Sequence, residues 1–205
     1  SILFAFGQQV DREEVLLEIG TGTWCPYCPG AAMGADDLIA NGHDVAVIEY
    51  HSGDGFTNPE GEARISYYGI SGFPTAYFDG VLSYVGGSSS TSMYSNYLPL
   101  YNQRIVIPCD FEMEIYGENT TGNNYSVSIM VDMVNTNTSN DLVVHLALTE
   151  SEIVYSWQGQ SELNFVERLM APDANGTPLS FASGNEQQID LTFVIDPSWN
   201  TAHCE

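Results

Sequence analysis

Two cysteines separated by two residues stand in the segment Trp24-Cys25-Pro26-Tyr27-Cys28. That spacing sets the thiols one helical turn apart, close enough to form a disulfide with little backbone movement. If Cys25 lies at the exposed start of a helix, unpaired backbone N–H groups and the helix dipole favour its thiolate and lower its pKa below the free value of about 8.5. Cys25 is then the attacking nucleophile, and Cys28, further into the helix, resolves the mixed disulfide. The same spacing also serves zinc, but zinc needs more ligands. Cys109 and Cys204 are far away in sequence, and no His stands at ligand spacing from Cys25. An inert structural disulfide is the other reading of the pair.

A second element, Gly72-Phe73-Pro74-Thr75, resembles the cis-proline loop of the thioredoxin superfamily. The resemblance implies that Phe73 faces the disulfide and that the backbone there pairs with an extended substrate. Trp24, Pro26, Tyr27, Phe73, Pro74 and Thr75 are the expected substrate contacts. Superfamily members often keep a buried acid below the resolving cysteine, and Glu18 on the entering strand is the candidate base, although the spacing from it to Cys25 is one residue longer than in thioredoxin. A buried carboxylate there would have a raised pKa. His51 is a weaker candidate and reads as a surface residue near a loop.

The elements that position these groups follow from apolar periodicity. Val15 to Ile19 is a short buried strand leading through Gly20-Thr21-Gly22-Thr23 to the cysteines. Pro29 to Ala40 has Ala31, Ala32, Ala35, Leu38 and Ile39 at helical spacing, with Asn41-Gly42 as its stop. Val45 to Tyr50 is a second strand, and Asn58-Pro59 starts a helix that runs to Tyr68. Residues 72–85 read as a β-hairpin turning at Asp79-Gly80, and a further helix ends near Arg104. This order describes an α/β thioredoxin-like domain over residues 8–106. Beyond Pro108, the stretches Cys109 to Tyr116, Tyr125 to Val134, Leu142 to Thr149, Leu163 to Met170 and Gln188 to Ile195 read as strands. They predict an all-β immunoglobulin-like sandwich over residues 107–205.

The charge balance narrows the partners. The 205-residue chain has 27 acidic side chains and only four basic ones, for a formal net charge of −23. The four are Arg12, Arg64, Arg104 and Arg168, scattered singly, so neither a nucleic-acid backbone nor an anionic membrane surface is an expected partner. No apolar run approaches the roughly 18 to 20 residues that cross a bilayer. Residues 1–7 read as the end of a secretory signal, with cleavage expected before Gln8.

Taken along the chain, Val15-Leu16-Leu17-Glu18, residues 21–29, residues 67–75, Phe78-Asp79-Gly80, Leu146-Ala147-Leu148-Thr149-Glu150 and Asn164-Phe165-Val166 resemble the Omp-twenty-eight-related outer membrane proteins. Those join a thioredoxin-like domain to a β-sandwich and are exported by Gram-negative bacteria. The resemblance implies a periplasmic, outer-membrane or secreted location in the bacterial envelope, and a final strand following Cys204. Cys109 and Cys204 would then be neighbours, and an oxidising compartment favours a disulfide between them; two free thiols is the other outcome. No cofactor is implied. Two functions follow: an exported thiol/disulfide oxidoreductase acting on protein or peptide thiols and disulfides, or a non-catalytic binding or adhesion module whose Cys25–Cys28 bond is structural.

Overall fold

A computed structural model describes residues 8–139 and 141–205. The expected signal remnant at residues 1–7 lies outside the described residues. The chain begins with β1 (Val15–Thr21), α1 (Cys28–Ala40), β2 (Val45–His51), α2 (Pro59–Tyr67), β3 (Thr75–Phe78), β4 (Leu82–Val85) and α3 (Tyr94–Ile105). Strand β1 pairs parallel with β2 and antiparallel with β3, and β3 pairs antiparallel with β4. This is the thioredoxin-like arrangement.

Local chemistry explains these elements. Asn58 accepts a hydrogen bond from the Gly61 N–H at 2.7 Å, capping α2 with Pro59 behind it. Helix α1 stops at Asn41-Gly42, where Gly42 is left-handed. The β3–β4 hairpin turns at Asp79-Gly80, both with positive φ. Asp79 also ties the sheet down: its carboxylate accepts from the Leu16 N–H at 2.9 Å and from Arg104 at 2.8 Å.

One residue in two of β1 and β2 points each way. Val15, Leu17 and Ile19 of β1 and Val45 and Val47 of β2 pack with Ala31, Ala35 and Leu38 of α1 and with Tyr97 and Tyr101 of α3. Glu18, between Leu17 and Ile19, faces Arg64 of α2.

The remaining strands are β5 (Phe111–Thr121), β6 (Asn124–Met133), β7 (Val143–Val144), β8 (Leu146–Glu150), β9 (Ile153–Trp157), β10 (Gln160–Leu163), β11 (Val166–Ala171), β12 (Thr177–Pro178) and β13 (Glu186–Val194). Their pairing departs from the sequence reading. The alternation in Leu142 to Thr149 and Leu163 to Met170 puts both stretches in a sandwich, but β11 and β8 instead extend the first sheet, giving the order β4-β3-β1-β2-β11-β8. Strands from both sides of residue 107 thus share one sheet. The physical reason is the open side of β2: its unpaired backbone groups need a ladder, and β11 supplies one, with the Glu49 N–H donating to the Phe165 carbonyl at 2.8 Å. Alternation reports that a strand has one buried face but not which sheet it joins. Outside that sheet stand a three-stranded antiparallel sheet, β13-β6-β5, and the short pair β12-β7, with Val127, Ile129, Val131, Val144 and Ile189 in a core of their own. Between β8 and β11 rises the β9–β10 hairpin.

Candidate functional site

Strand β1 ends at Thr21 and delivers the cysteine segment to the start of α1. Cys28 is the first residue of α1, and Cys25 lies in the turn before it, its N–H donating to the Gly22 carbonyl at 3.0 Å. The two cysteines are joined as a disulfide, with Cα atoms 5.4 Å apart. Phe73-Pro74 is a cis peptide, as the sequence predicts. The Phe73 carbonyl oxygen lies 3.5 Å from the Cys25 sulfur, so the two motifs, 48 residues apart, meet at the sulfur.

The expected substrate contacts divide into two groups. Trp24 and Tyr27 are 51% and 58% exposed, and Pro26 is exposed beside them. Trp24 is held edge-on to Phe73 with ring centroids 5.6 Å apart, and its indole N–H donates to the Ser52 carbonyl at 2.7 Å. Gly22 makes room for that ring: a Cβ there would lie 2.6 Å from the indole nitrogen. Pro74 and Thr75, by contrast, are buried, and the Thr75 hydroxyl is used internally, donating to the Gly72 carbonyl at 2.7 Å.

The structure departs from the sequence reading at Cys25, Glu18 and His51, and decides between the two readings of Cys109 and Cys204. Cys25 is not an exposed helix start: it is 1% exposed and Cys28 is inaccessible. Both pack against Trp157, Leu163 and Val166, with Phe56 and Phe73 around them. The covering residues Trp157 and Leu163 come from the β9–β10 hairpin, more than 120 residues away in sequence, which no local pattern reveals.

Glu18 is buried but is not brought to the cysteines. It faces α2, where Arg64 holds it at 2.6 Å, the Tyr50 hydroxyl donates to it at 2.9 Å and the Tyr68 hydroxyl donates as well. The extra residue between Glu18 and Cys25 accounts for this, since a shift of one along a strand moves a side chain to the other face. Burial works against the Arg64 charge, but the Glu18 carboxylate outweighs it and keeps the guanidinium firmly protonated.

Cys109 and Cys204 are separate thiols rather than a pair. Cys109 bridges to Val10, and Cys204 bridges to Glu150 on β8, so the backbone assigns them to different neighbours.

The acid on the α1 side of the sheet is Glu49 of β2, which sequence reasoning passed over. It shares its face with Val45 and Val47, and burial, reinforced by the charge of Asp36 on α1, pushes its carboxyl up to about 8. The signal was present as a lone acid within Val45-Ala46-Val47-Ile48-Glu49-Tyr50. His51 follows on the same face and is buried, not on the surface. Its Nδ1 lies 2.8 Å from Asp54, and its Nε2 has no hydrogen-bond partner, with Glu49 4.0 Å away. Asp54 connects this group to the cysteine segment by accepting from the Thr23 N–H at 2.7 Å. Burial opposes the Asp54 charge, but hydrogen bonds from His51, Thr23 and Phe56 hold its carboxyl at about 2. Among the described residues, no group of three His, Cys, Asp or Glu side chains is arranged to hold a metal ion.

The arrangement sets a disulfide at the start of α1 with the Phe73 carbonyl beside the Cys25 sulfur. Comparison of the coordinates with solved structures gives HBP35 of Porphyromonas gingivalis, with a TM-score of 0.73 at 17% identity over 93% of this chain and 67% of that one. At that identity the likeness shows a shared thioredoxin-like fold. No family model and no curated protein matches the sequence. Among the described residues, no helix is long and apolar enough to cross a membrane.

Proposed function

We propose that the chain is an exported thiol/disulfide oxidoreductase of the bacterial envelope, of the kind suggested by its resemblance to the Omp-twenty-eight-related proteins. The observation that carries this reading is the Phe73 carbonyl 3.5 Å from the Cys25 sulfur, beside a cis Phe73-Pro74 bond. In the forward step a substrate thiolate attacks Cys25, the Cys25–Cys28 bond breaks, and Cys28 leaves as a thiolate. A second substrate thiolate then attacks the mixed disulfide, releasing Cys25 and leaving the substrate oxidised and the pair reduced. In the reverse direction Cys25 attacks a substrate disulfide and Cys28 resolves it. Trp24, Pro26 and Tyr27 offer an exposed rim for a protein or peptide partner, and the Phe73-Pro74-Thr75 backbone offers the docking strand. A second reading is favoured by the burial of both cysteines: a structural disulfide in a binding or adhesion module of the envelope.

The reduction potential of the pair in a glutathione buffer, with mass-resolved alkylation, tests the proposal. A value within about −270 to −120 mV, with Cys25 trapped first and turnover of a protein disulfide lost in Cys25→Ser, supports exchange. A value below about −300 mV with neither thiol trapped supports the structural bond and overturns the oxidoreductase.

A further inference from the structure

The β9–β10 hairpin leaves the sheet at Glu152 and returns at Phe165, both with left-handed backbone. Its base is fixed. Asn164 accepts from the Glu152 N–H at 2.9 Å and donates to Asp36 of α1 at 3.1 Å, while the Ser151 hydroxyl accepts from the Phe165 N–H at 2.9 Å. Its tip is held differently. Gln158, in the Gln158-Gly159 turn, donates from its side-chain amide to the carbonyls of Thr23 and Trp24, each at 3.2 Å. Those two carbonyls immediately precede Cys25 in the chain. Between base and tip, Trp157 and Leu163 lie against the disulfide.

The two attachments have different consequences when broken. Gln158 is exposed, so water can replace both of its contacts. The indole N–H of Trp157 donates within the hairpin, to the Glu162 carbonyl at 2.9 Å. Lifting the hairpin therefore leaves the Trp157 donor paired. What resists lifting is the apolar contact over the sulfurs and the latch at Gln158.

We infer that the β9–β10 hairpin is a cap, latched by Gln158 onto the backbone of Thr23 and Trp24, that must lift before any thiol can reach Cys25. This goes beyond the proposed oxidoreductase role: a cap over a structural disulfide would behave the same way toward a small reductant. Its test accordingly uses chemical reduction, not turnover.

Native protein is mixed with excess dithiothreitol, quenched with acid at intervals, and the reduced fraction is counted by alkylation and mass. One dithiothreitol thiolate attacks Cys25 and expels Cys28; its second thiol then displaces Cys25, giving cyclic oxidised dithiothreitol and two protein thiols. Gln158→Ala removes the latch while leaving the base and the core untouched, and Arg104→Ala, which frees Asp79 at the β3–β4 turn, serves as a comparison that lowers stability away from the hairpin. The expected result is reduction about fivefold to tenfold faster in Gln158→Ala, from the loss of two hydrogen bonds in the closed form alone, with Arg104→Ala at the wild-type rate. Hydrogen exchange in the β9–β10 amides rises in parallel. Reduction of Gln158→Ala at the wild-type rate overturns the cap. So does equal acceleration in both variants, which would place the opening in unfolding of the whole chain. A potential below the exchange range would end the oxidoreductase reading and leave this result standing.

Discussion

Glu18 and Glu49 stand on neighbouring strands, one residue out of register, and each is 2% exposed, yet their surroundings are opposite. On the α2 face, Glu18 meets a guanidinium and two tyrosine hydroxyls. On the α1 face, Glu49 meets no arginine; its charged neighbour is Asp36, and its carboxyl holds its proton up to about 8. The same type of side chain thus sits in an ion pair in one place and holds its proton in the other. Burial sets the cost of charge in both, and the presence of a cation decides whether that cost is met. The face with the cation is fastened; the face without one carries the titratable group on the side of α1 and the cysteines.

The largest effect comes from removing the cation. Arg64→Met leaves the Glu18 carboxylate buried without its partner, and urea denaturation is expected to show a loss of about 4 kcal/mol. Adding Glu18→Gln restores much of it. An unchanged urea midpoint in Arg64→Met would erase the contrast between the faces.

Glu49→Gln sharpens the contrast through pH. The native carboxyl at about 8 lies above the ordinary 4.5, so between those values the folded chain holds a proton that the unfolded chain releases. Wild-type stability therefore falls as pH rises through this window, and the loss is complete above it. The Gln variant lacks this part of the loss and gains on the wild type by on the order of 3 kcal/mol between about pH 5 and about pH 9. Glu167, which burial pushes up to about 7, leaves a residual slope in both proteins. Thermal denaturation across that range is the measurement, and parallel curves would show that Glu49 does not hold its proton.

The smallest effect is at Asn58, which caps α2 and donates to Glu167 at 2.7 Å. Asn58→Ala is expected to cost about 1 kcal/mol. Because the Asn58 bond lowers the Glu167 pKa, its loss moves the Glu167 part of the pH slope upward. A slope that stays in place would mean that this bond does not act on Glu167.

Much of the site was legible from local pattern. The Cys-x-x-Cys spacing, the helix stop at Asn41-Gly42, the cap at Asn58, the Asp79-Gly80 turn and the Phe73-Pro74 element each depend on residues close together in sequence, and each is found where the pattern put it. Glu18 shows where such reading fails. Its burial could be inferred from an apolar strand, but its face depends on a single-residue offset between strand and turn. The burial of Cys25 fails for a different reason: Trp157, Gln158 and Leu163 reach it only because β8 and β11 join the first sheet and raise their hairpin over α1.

The thiol pair, the elements that flank it, and the scarcity of cations in a chain with net charge −23 follow from the order and kinds of residues alone. These are properties of composition and short-range spacing, which persist whatever the chain packs against. Tertiary structure alone decided which buried acid meets an arginine, which stays protonated, and whether the disulfide is open to solvent. Those outcomes depend on strand order and on which face of a sheet receives which helix, and strand pairing joins residues whose separation along the chain carries no periodic signal.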